Sequence, residues 1–237
     1  APVAAGFNGF VVEDGSVTFD VVANGSDVDG TLDPTTIQIV GTTNPGDPLP
    51  EAGVGVWTVD TINGRITFTP ETDYDGPVSN IDYTVQDNDG ATSNSATITL
   101  SITPVNDSPT VGGGSLAAVD EDAINPPGDT IANMVGGTFA DVDAGSSMSG
   151  IVLTSNTTPV SSGAWQYSTD TGTSWFDVGV VGVVGQALTP ASLLRFVPAA
   201  DYDGAVSPLS FRALDDTYAG AFTNGATRET VDTSSPG

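Results

Sequence analysis

A stretch of 20 residues occurs twice in this 237-residue chain. Phe68–Asp87 reads FTPETDYDGPVSNIDYTVQD, and Phe196–Asp215 reads FVPAADYDGAVSPLSFRALD, with no gap between them. Phe, Pro, the whole Asp-Tyr-Asp-Gly block, Val, Ser and the final Asp coincide. The apolar positions also match in kind, Ile81 with Leu209 and Tyr83 with Phe211. Upstream, Val12-Glu13-Asp14 returns as Asp120-Glu121-Asp122, Asp27-Val28-Asp29 as Asp141-Val142-Asp143, and Trp57 as Trp165. A repeat on this scale predicts two similar domains. The boundary falls in the proline-flanked stretch Thr103–Pro109, giving domains 1–105 and 106–237. The second copy is longer by about 20 residues near 168–192, where Trp165 and Asp201 stand further apart than Trp57 and Asp73.

Apolar and polar residues alternate at period two in Ser16–Val21, Thr35–Val40, Arg65–Thr69, Ile81–Val85 and Ala96–Ile102. That is the pattern of half-buried strands. Asn63-Gly64 between Thr61-Ile62 and Arg65-Ile66 predicts a tight hairpin. No segment of helix length shows a 3.6-residue period. The expected fold class is all-β: two tandem, immunoglobulin-like sandwiches of antiparallel sheets.

Charge narrows the function. Thirty acidic residues face four arginines (Arg65, Arg195, Arg212, Arg228), for a net charge of −26. Such a chain offers no basic stripe for nucleic acid. With no histidine or cysteine, it has no imidazole or thiolate metal site, no His- or Cys-based triad and no disulfide. No apolar run reaches the roughly 18 residues of a membrane-spanning helix, so no membrane insertion is expected. Hydrophobic residues are 38% of the chain, too many for a disordered acidic polymer. The acids are mostly Asp, which suits turns and is a short oxygen ligand for calcium.

Five clusters recur: Asp27-x-Asp29, Asp73-x-Asp75, Asp87-x-Asp89, Asp141-x-Asp143 and Asp201-x-Asp203. Each is readable as a solvated turn or as a pair of carboxylates aimed at one cation, since residues i and i+2 of a strand share a face. The recurrence, with Asn106-Asp107 at the boundary, favours Ca2+. Paired acids also serve glycosidases, but symmetric duplication in both domains fits structural ligands better, so no enzyme activity is expected.

The joint pattern resembles cadherin repeats, in particular the cadherin-like domains of bacterial type I-secreted adhesins, over nearly the whole chain and twice. In size it is similar to the small Rhizobium-adhering proteins, which are little more than two such domains. The resemblance implies calcium ions that stiffen a junction. It gives Glu13, Asp73, Asp75, Asn106 and Asp107 as ligands from the first domain and linker, and Asp141, Asp143 and Asp215 as those of the second domain. Asp27, Asp29 and Asp87 would form the equivalent cap of the first domain, and Glu121, Asp201 and Asp203 the base of the second. The first cap lacks a preceding Asn-Asp, and the second base is followed only by Asp232, so the outer sites are expected to be incomplete or to use neighbouring cadherin-like domains. The resemblance further implies an extracellular protein, secreted or surface-associated and exported without a cleaved leader. It would bind acidic exo- or capsular polysaccharide in adhesion and biofilm matrix. The alternative is a calcium-rigidified spacer within a larger surface adhesin.

Ser168–Trp175 resembles the Asp-box of sialidases and other β-proteins. It predicts a hairpin closed by Asp170 and Gly172 with Trp175 packed beneath, rather than a sugar contact. Trp165, Tyr167 and Tyr202 are the speculative carbohydrate contacts. Trp165 is also readable as core, like Trp57, whereas Tyr167 and Tyr202 are expected to be exposed. Tyr74 and Tyr202 are expected to pack locally and hold the Asp-Tyr-Asp-Gly loops.

Overall fold

A computed structural model describes residues 1–233. The chain is almost entirely β and divides into two compact units, Ala1–Val105 and the unit that begins at Asn106. Each is a sandwich of two four-stranded sheets.

The first unit contains β1 (Phe7–Val12), β2 (Val17–Asp20), α1 (Val21–Asn24), β3 (Leu32–Ile39), β4 (Leu49–Glu51), β5 (Gly55–Asp60), β6 (Arg65–Pro70), β7 (Ile81–Asp87) and β8 (Ala96–Thr103). One sheet has the order β1-β8-β7-β3 and the other β2-β6-β5-β4. Their inward faces carry Ile37, Ile39, Trp57, Ile66, Phe68, Tyr83 and Ile98, none with any solvent exposure. All but Trp57 are apolar positions of the alternating segments, as a half-buried strand requires. The pairing departs from the antiparallel expectation once. β1 runs parallel to β8, in register from Phe7↔Ile98 to Val12↔Thr103. The Asn63-Gly64 hairpin also differs: β5 and β6 pair as far as Asp60↔Arg65, leaving a four-residue loop. Asp60 widens it, because its Oδ1 accepts the Ile62 and Asn63 amides at 2.9 and 3.0 Å. Gly64 takes the left-handed conformation, with φ +69°, that closes the loop.

The second unit contains β9 (Asp129–Thr130), α2 (Ile131–Val135), β10 (Gly150–Asn156), β11 (Gly163–Ser168), β12 (Phe176–Asp177), β13 (Val184–Leu188), β14 (Leu193–Pro198), β15 (Leu209–Leu214) and β16 (Thr230–Asp232). The sheets are β12-β11-β14-β9 and β15-β10-β13-β16. The extra residues near 168–192 supply β12 and β13, one to each sheet. The core gathers Ile131, Ile151, Leu153, Tyr167, Leu188 and Leu194. Both helices are single turns started by side-chain caps, Asp20 accepting from the Ala23 amide and Thr130 from that of Asn133. They are too short to leave a helical period in the sequence. No helix among the described residues is long and apolar enough to cross a membrane.

Candidate metal centres

The Asp-Tyr-Asp-Gly loops form a repeated corner. Tyr74 donates its hydroxyl to the Pro77 carbonyl at 2.7 Å, and Tyr202 to that of Ala205 at 2.6 Å. The intervening glycine is required, because a Cβ on Gly76 would lie 2.6 Å from the Tyr74 oxygen. Both tyrosines are half-buried over their own loops, so the expected local packing holds, while Tyr202 is less exposed than expected. A third corner was missed in the sequence. Tyr218 donates to the Ala221 carbonyl at 3.1 Å with Gly220 beneath its ring. Its only signal was Tyr-x-Gly, without flanking aspartates.

The two Asp-Tyr-Asp-Gly corners each present an aspartate in a strained conformation. Asp73 and Asp201 have φ of 56° and 58°, and Asp14 and Asp122 have 59° and 65°. These are left-handed values that Asp tolerates better than most residues. The pairs meet identically: the Asp73 amide donates to Asp14 Oδ1 at 3.1 Å, and the Asp201 amide to Asp122 Oδ1 at 2.9 Å. Asp14 and Asp122 were not selected from sequence, although each follows the repeated glutamate.

The two glutamates differ. Glu13 is buried; its amide donates to the Thr103 carbonyl at 3.0 Å and its Oε2 accepts the Val105 amide at 2.8 Å. It therefore fixes the end of β8. Glu121 is exposed. Asp75 is half-buried and Asp203 exposed.

At the other end of the first unit, the Asp27 side chain is almost fully shielded, with 1% of its surface exposed, whereas Asp29 is 74% exposed. The Ala1 ammonium lies 3.5 Å from the first and 3.4 Å from the second. Asp29 is held below the ordinary carboxylate range, first by its hydrogen bond with Asp27 and then by that ammonium. Asp27 Oδ2 and Asn88 Oδ1 both point at the space above Gly30. Asn88 was not predicted. Asp87 is buried, its Oδ1 accepting the Asp89 and Ala91 amides at 3.0 and 2.8 Å.

The corresponding end of the second unit is built on the same plan. Asp215 is buried, and its Oδ1 accepts the Thr217 amide at 2.9 Å. Asn106 Nδ2 lies 3.4 Å from the other oxygen of Asp215. Asp143 Oδ2 accepts the Asp107 amide at 2.8 Å, and Asp141 Oδ1 accepts the Asp143 amide at 3.1 Å. Asp216, another unpredicted member, accepts the Ser147 amide at 2.9 Å, which with Ser146 holds its carboxyl below the usual range. Each carboxylate has about four lone-pair sites, so one or two amide contacts leave acceptor capacity for a hard cation. The donor set is all oxygen, which fits Ca2+ rather than a softer metal.

Three of the four arginines are committed elsewhere. Arg65 pairs with Asp20 at 3.2 Å. Arg195 is buried, donating to Gln166, Asn125 and the Pro126 carbonyl. Arg228 donates to the Asp177 carbonyl.

The aromatic candidates need correction. Tyr167 is 1% exposed and lies in the core, donating to the Gly225 carbonyl at 3.0 Å. The expectation that it is exposed to meet a sugar fails. Trp165 is half-buried, its ring 5.5 Å from that of Phe196 and its Nε1 donating to the Ser207 carbonyl. The Asp-box does form a hairpin. Asp170 accepts the Ser174 amide at 2.8 Å, Gly172 has φ +86°, and Trp175 Nε1 donates to the Gly172 carbonyl. The Arg195 guanidinium stacks 3.9 Å from the centre of the Trp175 ring, a cation–π contact that gives the buried charge a partner.

No curated protein sequence matches this chain. A solved structure of Bacteroides ovatus SGBP-B, from a mixed-linkage glucan utilization locus and in complex with a mixed-linkage heptasaccharide, shares 11% identity and a TM-score of 0.19. The alignment covers 89% of this chain and 49% of that one, so the chain spans about half its length. Residues 1–104, essentially the whole first unit, match the family model of the bacterial cadherin-like domain.

Proposed function

We propose that this is an extracellular calcium-dependent adhesin module whose bound ions organise the acidic ends of its domains and contact an acidic polysaccharide. The observation that carries the reading is the end of the second unit. There Asp141, Asp143, Asp215 and Asp216 are fixed by backbone amides around Asn106 and Asp107. Carboxylates gathered in this way repel one another unless a cation joins them. By the same reasoning Glu13, Asp73, Asp75, Asn106, Asp107, Asp141, Asp143 and Asp215 serve the linker, Asp27, Asp29 and Asp87 the first cap, and Glu121, Asp201 and Asp203 the second base. Asp14, Asp122, Asn88 and Asp216 join the candidates on geometry.

A chain of charge −26 repels a uronate polymer over about 8 Å at physiological salt. Bound calcium reverses that locally, bridging protein carboxylate and sugar oxygen. The module needs no catalytic group for this role. The spacer reading stays in play for a specific reason. With Tyr167 in the core and both Trp165 and Tyr202 half-buried, none of the three predicted aromatics offers a fully exposed face to a sugar.

The decisive experiment measures binding to isolated bacterial exopolysaccharides in millimolar calcium, followed by EDTA. Calcium-dependent capture and EDTA release support the adhesin reading. Calcium-raised melting without capture on any acidic glycan would favour the spacer. A melting curve indifferent to calcium would remove both.

A further inference from the structure

In the first unit β8 lies between β1 and β7 and sends Ile98 and Leu100 into the core. The second unit has no described strand in that place. β15, the counterpart of β7, pairs with β10 alone. Residues Ala226–Thr233 align with β8: Ala96-Thr97 returns as Ala226-Thr227, and Thr103 as Thr233. Between them, Ile98, Leu100 and Ile102 are replaced by Arg228, Thr230 and Asp232. Those side chains cannot enter an apolar core without losing their hydration. The segment goes to the opposite side of the sheet, where Thr230–Asp232 pairs with β13.

The vacated position has consequences on both sides. Ile81 and Tyr83 of β7 are buried, whereas Leu209 and Phe211 of β15 are only half-buried. A groove of about 750 Å3 runs between Ser108–Val111 and Phe211–Leu214, with Val152 and Val231 also lining it. In the first unit the matching segment is the start of the chain: Val3 bridges Ser26 as Thr110 bridges Ala140. The groove thus borders β15, the counterpart of one of the two strands that flank β8, while the counterpart of β1, residues 115–120, forms no described strand.

We propose that this groove accepts an extended segment of another polypeptide. The segment would carry aliphatic side chains at alternate positions and lie antiparallel to β15 as β8 lies to β7. An open strand edge supplies the main-chain hydrogen bonds, and the half-buried Leu209 and Phe211 supply the apolar contacts that select the sequence. The first unit shows what fits: a strand of the pattern Ala-Thr-Ile-Thr-Leu-Ser-Ile-Thr, uncharged throughout. A second copy of this chain is disfavoured as donor, because two bodies of charge −26 repel.

The test fuses that eight-residue strand to the C-terminus of the full chain through a flexible Gly/Ser linker, which raises its effective concentration to about millimolar. Hydrogen exchange is read at Leu209–Leu214. The expected result is exchange slowed about tenfold or more, with β3 unchanged and a higher melting temperature. A fused strand with aspartate at its three aliphatic positions should leave exchange as in the parent. Two results would overturn the proposal. One is a fused wild-type strand that leaves β15 exchange unchanged. The other is a parent chain that sediments as a dimer with β15 already protected, which would assign the edge to a second copy.

Discussion

Glu13 and Glu121 occupy matching positions, each followed by a left-handed aspartate whose carboxylate accepts an amide of the Asp-Tyr-Asp-Gly loop. Yet Glu13 is buried and holds Val105, while Glu121 is exposed. The cause of the difference is the last strand of each unit. In the first unit β8 ends beside β1, and its terminal carbonyl and the Val105 amide just beyond it meet Glu13. In the second, the aligned residues have lost their apolar alternation and leave for β13. The same local motif therefore anchors the last strand in one domain and leaves its glutamate on the surface in the other. Site chemistry here depends on the strand that closes the sheet, not on the motif alone.

The largest test of that asymmetry is in the cores. Trp57 is fully buried against Phe19 and Phe68, with ring centres at 6.3 and 4.7 Å. Trp57→Ala should cost about 3–5 kcal/mol. Trp165→Ala, at a half-buried position, should cost clearly less. Two-transition denaturant unfolding, followed unit by unit with the tryptophans of the other unit as reference, checks this. Equal losses would mean that the second core is as complete as the first.

Calcium comes next. With Kd near 10⁻⁴–10⁻³ M for extracellular modules, millimolar calcium is about one to ten times Kd, and each site contributes about 0.4–1.4 kcal/mol. Adding millimolar calcium to the EDTA-treated chain should raise the melting temperature of both units. Asp143→Ala, which deletes an acceptor of the Asp107 amide, should abolish most of the gain in the second. The same variant with an undiminished calcium response would move the site elsewhere.

A third test concerns the two glutamates directly. Glu13→Ala deletes the acceptor of the Val105 amide and should destabilise by about 1–3 kcal/mol. Glu121→Ala, on an exposed turn, should change stability by less than about 0.5 kcal/mol. Thermal melts in EDTA isolate this structural effect from any effect on metal.

Much of the strand pattern of the first unit was legible, and the reasons for the rest are physical. Alternation located β2, β3, β6, β7 and β8, because a half-buried strand writes its two faces into the sequence. The parallel pairing of β1 with β8 was not legible, since it joins residues about 90 positions apart and leaves no local mark. Tyr167 was misread although Trp165, two residues earlier, lies on the same strand face. Period two alone would have put both inward. Among the acids, recurrence exposed the pairs at 27/29, 73/75 and 141/143. Asp14 and Asp122 escaped because their role is to hold a neighbouring loop amide across 59 and 79 residues. Asn88 escaped because a carboxamide beside two aspartates does not stand out in an acidic chain.

The smallest expected effect compares two hairpin turns, one per unit. Asp60 is held below the ordinary carboxylate range by Asn63, through its side chain and amide, and by the Ile62 amide. Asp170 is held low by the Ser174 amide and the Ser168 hydroxyl. A carboxyl depressed in the folded state contributes stability that is present above the unfolded pKa, near 3.9. That contribution is lost as pH falls through the lower folded value. Asp170 is exposed and Asp60 half-buried at the surface, so screening keeps each contribution small. Asp60→Asn and Asp170→Asn should each lower the melting temperature slightly at neutral pH, with the deficit vanishing as pH falls below the unfolded value of about 3.9 and through the lower folded one. Melts across that range in EDTA, free of competing calcium linkage, read the convergence. If the Asp170 variant kept its deficit at the acid end while the Asp60 variant lost it, the second turn would depend on packing under Trp175 rather than on charge. The likeness between these two turns would then stop at their shape.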